Sequence, residues 1–186
     1  ELVQAGGTQI MLQGGLHPDH RLPWYVNLVQ TVRNRFPDIY LHSFSPAEIV
    51  HIAACSGCTI DTVVGALKDA GLNSIPGASD LLVDRIRDHV SPDKCSRREW
   101  REVIRTCARH GMISTATMTY GMGETLDERL LHLQEVRDAQ DETGILRAFI
   151  PWSFSPANTA LSDAPKATAV DYLRIVAVAR IFLDNI

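Results

Sequence analysis

Short apolar runs alternate along the whole chain with longer stretches of helical spacing, the pattern of strand-helix units that build a parallel sheet. The runs predict strands over Gln9 to Leu12, Ile39 to His42, Ser74 to Ile75, Ser114 to Met118 and Ala148 to Ile150. The helical spacing predicts helices over Leu22 to Arg35, Pro46 to Ala54, Ile60 to Ala70, Leu81 to His89, Ser96 to Arg109, Leu126 to Thr143 and Thr168 to the end. Cap chemistry supports the starts, with Ser45 before Pro46 and Thr125 before Leu126. Gly71 and Gly111 stand where C-terminal stops belong, after a helix and before a strand.

About five strand-helix units fall short of the eight that close a barrel. The fold class is therefore α/β, an incomplete TIM-type (β/α) barrel of parallel strands with outer helices, and a doubly wound open sheet is the competing architecture. No glycine-rich fingerprint opens a helix, which counts against a dinucleotide-binding sheet. With no linker, repeat or low-complexity tract, residues 1–186 read as one domain.

Composition narrows the class. A chain of 186 residues with 45% hydrophobic content supports one sizeable core. A formal net charge of -4, a pI near 6.0 and no Lys/Arg cluster offer no attraction to a polyanion, so nucleic acid is not an expected partner. No apolar run reaches the length of roughly 18 residues that spans a bilayer, and no secretory leader opens the chain; no membrane partner is expected and a cytoplasmic location is preferred. The chain starts at Glu1, and its last helical pattern is uncapped at Ile186, which reads as a segment of a longer protein.

Candidate chemistry falls just after the strands: Gln13-Gly14-Gly15, His42-Ser43, Pro76-Gly77, Tyr120-Gly121 and Pro151-Trp152. Both parallel architectures put ligand sites there. Gly14-Gly15 leaves bare peptide groups, suited either to a tight turn or to close approach by a ligand; on the pair alone the turn is favoured. His42 stands where barrel strands aim side chains at the site mouth. Ser45 and Glu48 are fully covered by a capping box of the form S-x-x-E. The strand S-T-A-T-M-T-Y-G leaves space and supplies hydroxyls, and Glu124 after it is read either as a ligand acceptor or as a solvated side chain beside the Thr125 cap. Trp152 and Phe154 either cover a pocket or pack beneath a loop. Cys55-Ser56-Gly57-Cys58 has no second pair at zinc spacing, Cys95 and Cys107 have no near partner, and the histidines show no H-E-x-x-H; no metal site is predicted, and the thiols read as buried or incidental.

Taken together, the blocks G-G-T-Q-I-M-L-Q-G-G-L-H-P-D, L-H-S-F-S-P-A-E-I, S-I-P-G-A-S-D-L-L, T-A-T-M-T-Y-G-M-G-E-T, Q-D-E-T-G and F-I-P-W-S-F-S-P-A-N-T-A-L resemble the radical S-adenosylmethionine enzymes of the futalosine route to menaquinone. The nearest pattern looks like the cyclic dehypoxanthine futalosine synthase group. Aminofutalosine synthases and FO synthase subunits share the Q-G-G and S-I-P-G-like blocks and stand as alternatives, as does a cluster-free barrel that only binds ligand. The resemblance implies S-adenosylmethionine and a 4Fe-4S cluster as cofactors, the cluster's ligands lying upstream of Glu1. It implies that residues 1–186 are the central part of the barrel domain, without the cluster loop and the C-terminal end. Gln13, Gly14 and Gly15 would then lie against the methionine part of S-adenosylmethionine, their bare backbone meeting its amino group. His42, Ser43, Thr117, Thr119 and Gly121 would face its ribose and adenine, and His17, Asp80 and Glu124 would stand near a small nucleoside substrate. The implied reaction takes a hydrogen atom from the ribose of dehypoxanthine futalosine and closes the ring to a spirocycle, with an electron donor such as flavodoxin or ferredoxin.

Three departures qualify that pattern. The family's Cys-x-x-x-Cys-x-x-Cys loop does not occur, so the chain as written is not expected to catalyse the reaction. Gly121-Met122-Gly123-Glu124-Thr125 stands where the family reads G-H-x-E-T, which removes an imidazole. The loop I-P-G-A-S-D-L-L is one residue shorter than I-P-G-G-G-A-E-I-L and carries Asp80 for glutamate, changes that would retract a carboxylate.

Overall fold

The structure, a computed structural model, describes residues 1–186. Five strands alternate with seven helices: β1 (Gln9–Leu12), α1 (Leu22–Arg35), β2 (Tyr40–Ser43), α2 (Pro46–Ser56), α3 (Ile60–Asp69), β3 (Ser74–Ile75), α4 (Asp84–Val90), α5 (Arg97–Arg109), β4 (Ile113–Tyr120), α6 (Leu126–Thr143), β5 (Leu146–Ser153) and α7 (Ala169–Phe182). The strands form one parallel sheet in the order β1-β2-β3-β4-β5. Because each strand pairs with the next in sequence, the order never reverses. A doubly wound sheet requires a reversal at a switch point, so the barrel-type winding is the one observed.

Strand alternation separates two environments. Along β4 the residues Ser114, Ala116, Met118 and Tyr120 are buried against the helices, while Thr115, Thr117 and Thr119 are half-buried on the concave side. The helix side carries the core, in which Val63, Leu67, Ile75, Trp100, Ile104 and Val136 are fully enclosed. Capping boxes fix the starts of α2 (Ser45/Glu48), α5 (Ser96/Glu99), α6 (Thr125/Glu128) and α7 (Thr168/Asp171). No single helix is long and apolar enough to cross a membrane.

The departures from the expected boundaries have local causes. β5 runs through Pro151, where the pattern predicted a stop, with Pro151 standing opposite Met118 in the pairing with β4. The helix expected from Leu81 begins at Asp84, since Leu81 and Leu82 are buried in the preceding loop and the Leu82 N–H donates to His132 Nδ1 at 2.9 Å. Gly77 explains that loop's path. A Cβ at Gly77 would stand 2.0 Å from the Thr115 carbonyl oxygen, so the chain passes directly over β4 with no room for a side chain. Trp100 Nε1 fixes the crossing by donating to the Gly77 carbonyl at 2.9 Å.

Candidate functional site

The concave face encloses a cavity of about 570 Å³ at the carboxyl ends of the strands, and His42, Asp80, Lys94, Thr115, Thr117 and Thr119 are among its walls. His42 is buried, and its Nδ1 meets Ser74 Oγ at 2.6 Å, which leaves Nε2 without a protein partner. Burial lowers its pKa, so the ring is neutral at pH 7. Ser43 is expected beside it but is not found there. Successive strand residues face opposite ways, and Ser43 Oγ accepts from the Leu12 N–H at 3.2 Å on the far side.

The segment after β3 is pinned at nearly every residue. Gly77 N donates to Thr115 Oγ1 (3.0 Å) and Ser79 N to Thr117 Oγ1 (2.9 Å), while Thr117 N donates to Ser79 Oγ (3.3 Å) and Thr119 N to the Asp80 carbonyl (2.8 Å). These ties hold Ala78 and Asp80 in left-handed backbone at φ 36° and 48°, a conformation costly for alanine and better tolerated by aspartate. Despite the shorter loop, Asp80 still reaches the cavity wall, and its Oδ2 pairs with Lys94 Nζ at 2.6 Å. Lys94, which sequence reasoning passed over, sits in the same cavity. Thr117 uses its oxygen lone pair on the loop and keeps its hydroxyl proton to donate.

A second cavity of about 390 Å³ opens beside Gly14 and Gly15, with His17, Trp24 and Glu48 among its walls. Gln13 and Met11 line both cavities, so the two lie side by side with these side chains at their shared wall. The ring of His20 stacks between His17 at 3.7 Å and Trp24 at 3.9 Å. His17 therefore belongs to the glycine compartment and not to the larger one, where a substrate residue was expected. Glu48 is a second residue whose part in the site sequence reasoning missed. Its Oε2 closes the capping box with Ser45, as expected, but its Oε1 accepts from the Gly14 N–H at 2.8 Å. The signal was the second carboxylate oxygen, which a local cap leaves free.

Two expected residues lie elsewhere. Gly121 (φ 94°) lines neither cavity. The Glu124 side chain has no exposure, and its oxygens accept from the Gly121 and Met122 N–H groups at 2.7 and 2.8 Å and pair with Arg129 at 2.7 Å. Glu124 thus braces its own loop and is not available as a free acceptor. Met122, where the family has histidine, is buried in the core.

His132, on α6 beneath β4, is fully buried, and burial drives its pKa from 6.5 to about 3. The unfolded chain binds this proton below about pH 6.5 while the folded chain refuses it. The associated stability is complete above pH 6.5 and is lost as pH falls toward 3, with a slope of up to about 1.4 kcal/mol per pH unit. Urea midpoints between pH 7 and pH 4 are expected to fall less steeply for His132→Gln than for the natural sequence.

S-adenosylmethionine fits the glycine compartment on one direct test. A Cβ at Gly14 would meet no protein atom within 4 Å, so nothing in the chain itself needs that side chain to be absent, whereas Gly15, at φ 76°, is required by its own left-handed backbone. A cluster does not fit. Cys55 and Cys58 are half-exposed, and burial pushes Cys95 and Cys107 up to about 11 and about 12. No group of at least 3 His, Cys, Asp or Glu side chains is placed to hold a metal ion.

No protein-family model matches the chain. Individual relatives do. It is 45% identical over 187 residues to the cyclic dehypoxanthine futalosine synthase of Halalkalibacterium halodurans, covering all of this chain and 50% of that protein. It is 41% identical to the enzyme of the same name from Streptomyces coelicolor, covering 47% of it. It is also 41% identical to a 5-amino-6-(D-ribitylamino)uracil–L-tyrosine 4-hydroxyphenyl transferase of Archaeoglobus fulgidus, covering 98% of this chain and 54% of that one. The chain therefore spans about half the length of the curated relatives it matches. Among solved structures, methylornithine synthase superposes with a TM-score of 0.73 at 15% identity, over 97% of this chain and 49% of that one. Coproporphyrinogen III oxidase from Escherichia coli gives 0.66 at 14% identity, over 96% and 40%.

The fold is that of a partial radical S-adenosylmethionine (β/α) barrel, with ligand-sized space at the carboxyl ends of its strands. The chain belongs to the radical S-adenosylmethionine family, and its sequence is related to the cyclic dehypoxanthine futalosine synthases.

Proposed function

We propose that the protein containing this chain cyclises dehypoxanthine futalosine, with S-adenosylmethionine in the Gly14-Gly15 compartment and the nucleoside in the larger one. The observation that supports this reading most is that the two compartments adjoin, sharing Met11 and Gln13 as wall residues, which sets a cofactor seat beside a polar cavity. When bound, S-adenosylmethionine supplies the hydrogen-abstracting chemistry. The chain's own residues bind and orient. Gln13 and the backbone of Gly14 and Gly15 hold the methionine end, with Glu48 fixing the Gly14 peptide plane. His42, Thr117 and Thr119, expected at the cofactor's ribose and adenine, line the larger compartment and there offer an imidazole nitrogen and two hydroxyls toward the nucleoside, with Asp80 on the same wall. Ile150 and Trp152 give the cavity an apolar wall on its β5 side. Ser43, Gly121 and Glu124 shape the loops that carry these groups. Electrons would come from a donor such as flavodoxin or ferredoxin.

The similarity to 5-amino-6-(D-ribitylamino)uracil–L-tyrosine 4-hydroxyphenyl transferases favours one competing reading, a deazaflavin-type coupling on the same scaffold. The full-length protein, reconstituted anaerobically and reduced, separates them. With dehypoxanthine futalosine the spirocyclic product is expected. Coupling of the ribityl uracil with tyrosine, and no spirocycle, would overturn the proposal in favour of the transferase.

A further inference from the structure

Arg87 is a buried cation with no carboxylate partner. Its Nη1 donates to the carbonyls of Ser79 (2.7 Å) and Leu81 (3.5 Å), its Nη2 donates to the Cys95 carbonyl, and its Nε has no partner. Burying a charge this way opposes folding unless the bonds it makes are needed. The partners indicate the need. Ser79 and Leu81 flank Asp80, and Cys95 follows Lys94, so one rigid guanidinium fork joins the two segments whose side chains meet at 2.6 Å on the cavity wall. Asp80 sits in left-handed backbone, and the Thr119 N–H bond to its carbonyl at 2.8 Å helps hold it there.

We propose that Arg87 is a positioning residue that sets Asp80 and Lys94 as one polar unit against the nucleoside substrate. The inference rests on the reading of the larger cavity as the substrate compartment. Asp80 and Lys94 line that cavity and not the glycine compartment, which assigns their effect to the nucleoside and not to S-adenosylmethionine. Paired through Oδ2, Asp80 keeps Oδ1 as an acceptor, and Lys94 keeps N–H groups to donate. Acceptor and donor side by side complement a hydroxyl-bearing ligand.

A double-mutant cycle on the unreduced full-length holoprotein tests the claim by equilibrium dialysis, with no turnover. The probes are dehypoxanthine futalosine, 5-amino-6-(D-ribitylamino)uracil and S-adenosylmethionine. Arg87→Met and Lys94→Met are each expected to weaken the nucleoside-type probe about tenfold, and the double variant no more than either alone, because both act through one unit. S-adenosylmethionine affinity should change less than about twofold, and Arg87→Lys should recover part of the loss. Should Arg87→Met fail to fold, Arg87→Lys carries the same cycle. Multiplying losses in the double variant, or an equal loss for S-adenosylmethionine, would reduce Arg87 to general scaffolding and overturn the proposal. Binding of the uracil in place of the futalosine overturns the proposed reaction while the cycle still reads Arg87. Binding of neither overturns both.

Discussion

Gly77→Ala in the full-length protein is expected to cost more than about 4 kcal/mol of stability, enough to unfold a typical domain at modest urea concentration. The new Cβ would stand 2.0 Å from the Thr115 carbonyl oxygen and 2.7 Å from the Ala116 Cα, contacts with backbone that no rotamer change relieves. Relief requires lifting the loop off β4. That movement would break the Trp100 bond to the Gly77 carbonyl and the Gly77 bond to Thr115 Oγ1, leaving a buried indole N–H unpaired. Urea midpoints measure the effect, and Gly14→Ala is the control. Its Cβ meets no protein atom within 4 Å, so a change within about 0.5 kcal/mol is expected. A Gly77→Ala protein as stable as the control would mean that the loop does not cross β4 as described.

Gly14 then separates stability from binding. Gly14→Val adds a branched side chain to the glycine compartment without touching the chain's own atoms at Cβ. Affinity for S-adenosylmethionine is expected to fall by at least about 100-fold, the scale of losing a close backbone approach together with its hydrogen bonds. The urea midpoint should stay close to that of Gly14→Ala. Unchanged affinity would return Gly14-Gly15 to the plainer reading, a tight turn that follows a strand.

Much of the architecture was legible because it is written locally. β1, α1, β3 and α6 occupy the residues their periodicity predicts, and the caps at Ser45 and Thr125 lie where short-range chemistry puts them. The site was legible only in part. Alternation along β2 was enough to separate His42 from Ser43, and applying it would have removed Ser43 from the ligand side. The loop after β3 could not be read this way, since its ties to Thr115, Thr117 and His132 join residues 38 to 50 positions apart. Lys94 and Arg87 were missed for the same reason. Each looks like an ordinary surface charge until the fold brings it to Asp80 or to the carbonyls around it. Glu48 and Glu124 show the converse error. The first was assigned wholly to a cap while its other oxygen held Gly14, and the second was offered to a ligand while its own loop consumed it.

The most direct test of the central claim is to follow one atom. Dehypoxanthine futalosine deuterated in its ribose, given with S-adenosylmethionine and reductant to the anaerobic full-length protein, should yield 5'-deoxyadenosine carrying one deuterium for each spirocycle formed. Unlabelled 5'-deoxyadenosine, or none that depends on the nucleoside, would mean that the two compartments do not hold this cofactor and this sugar edge to edge.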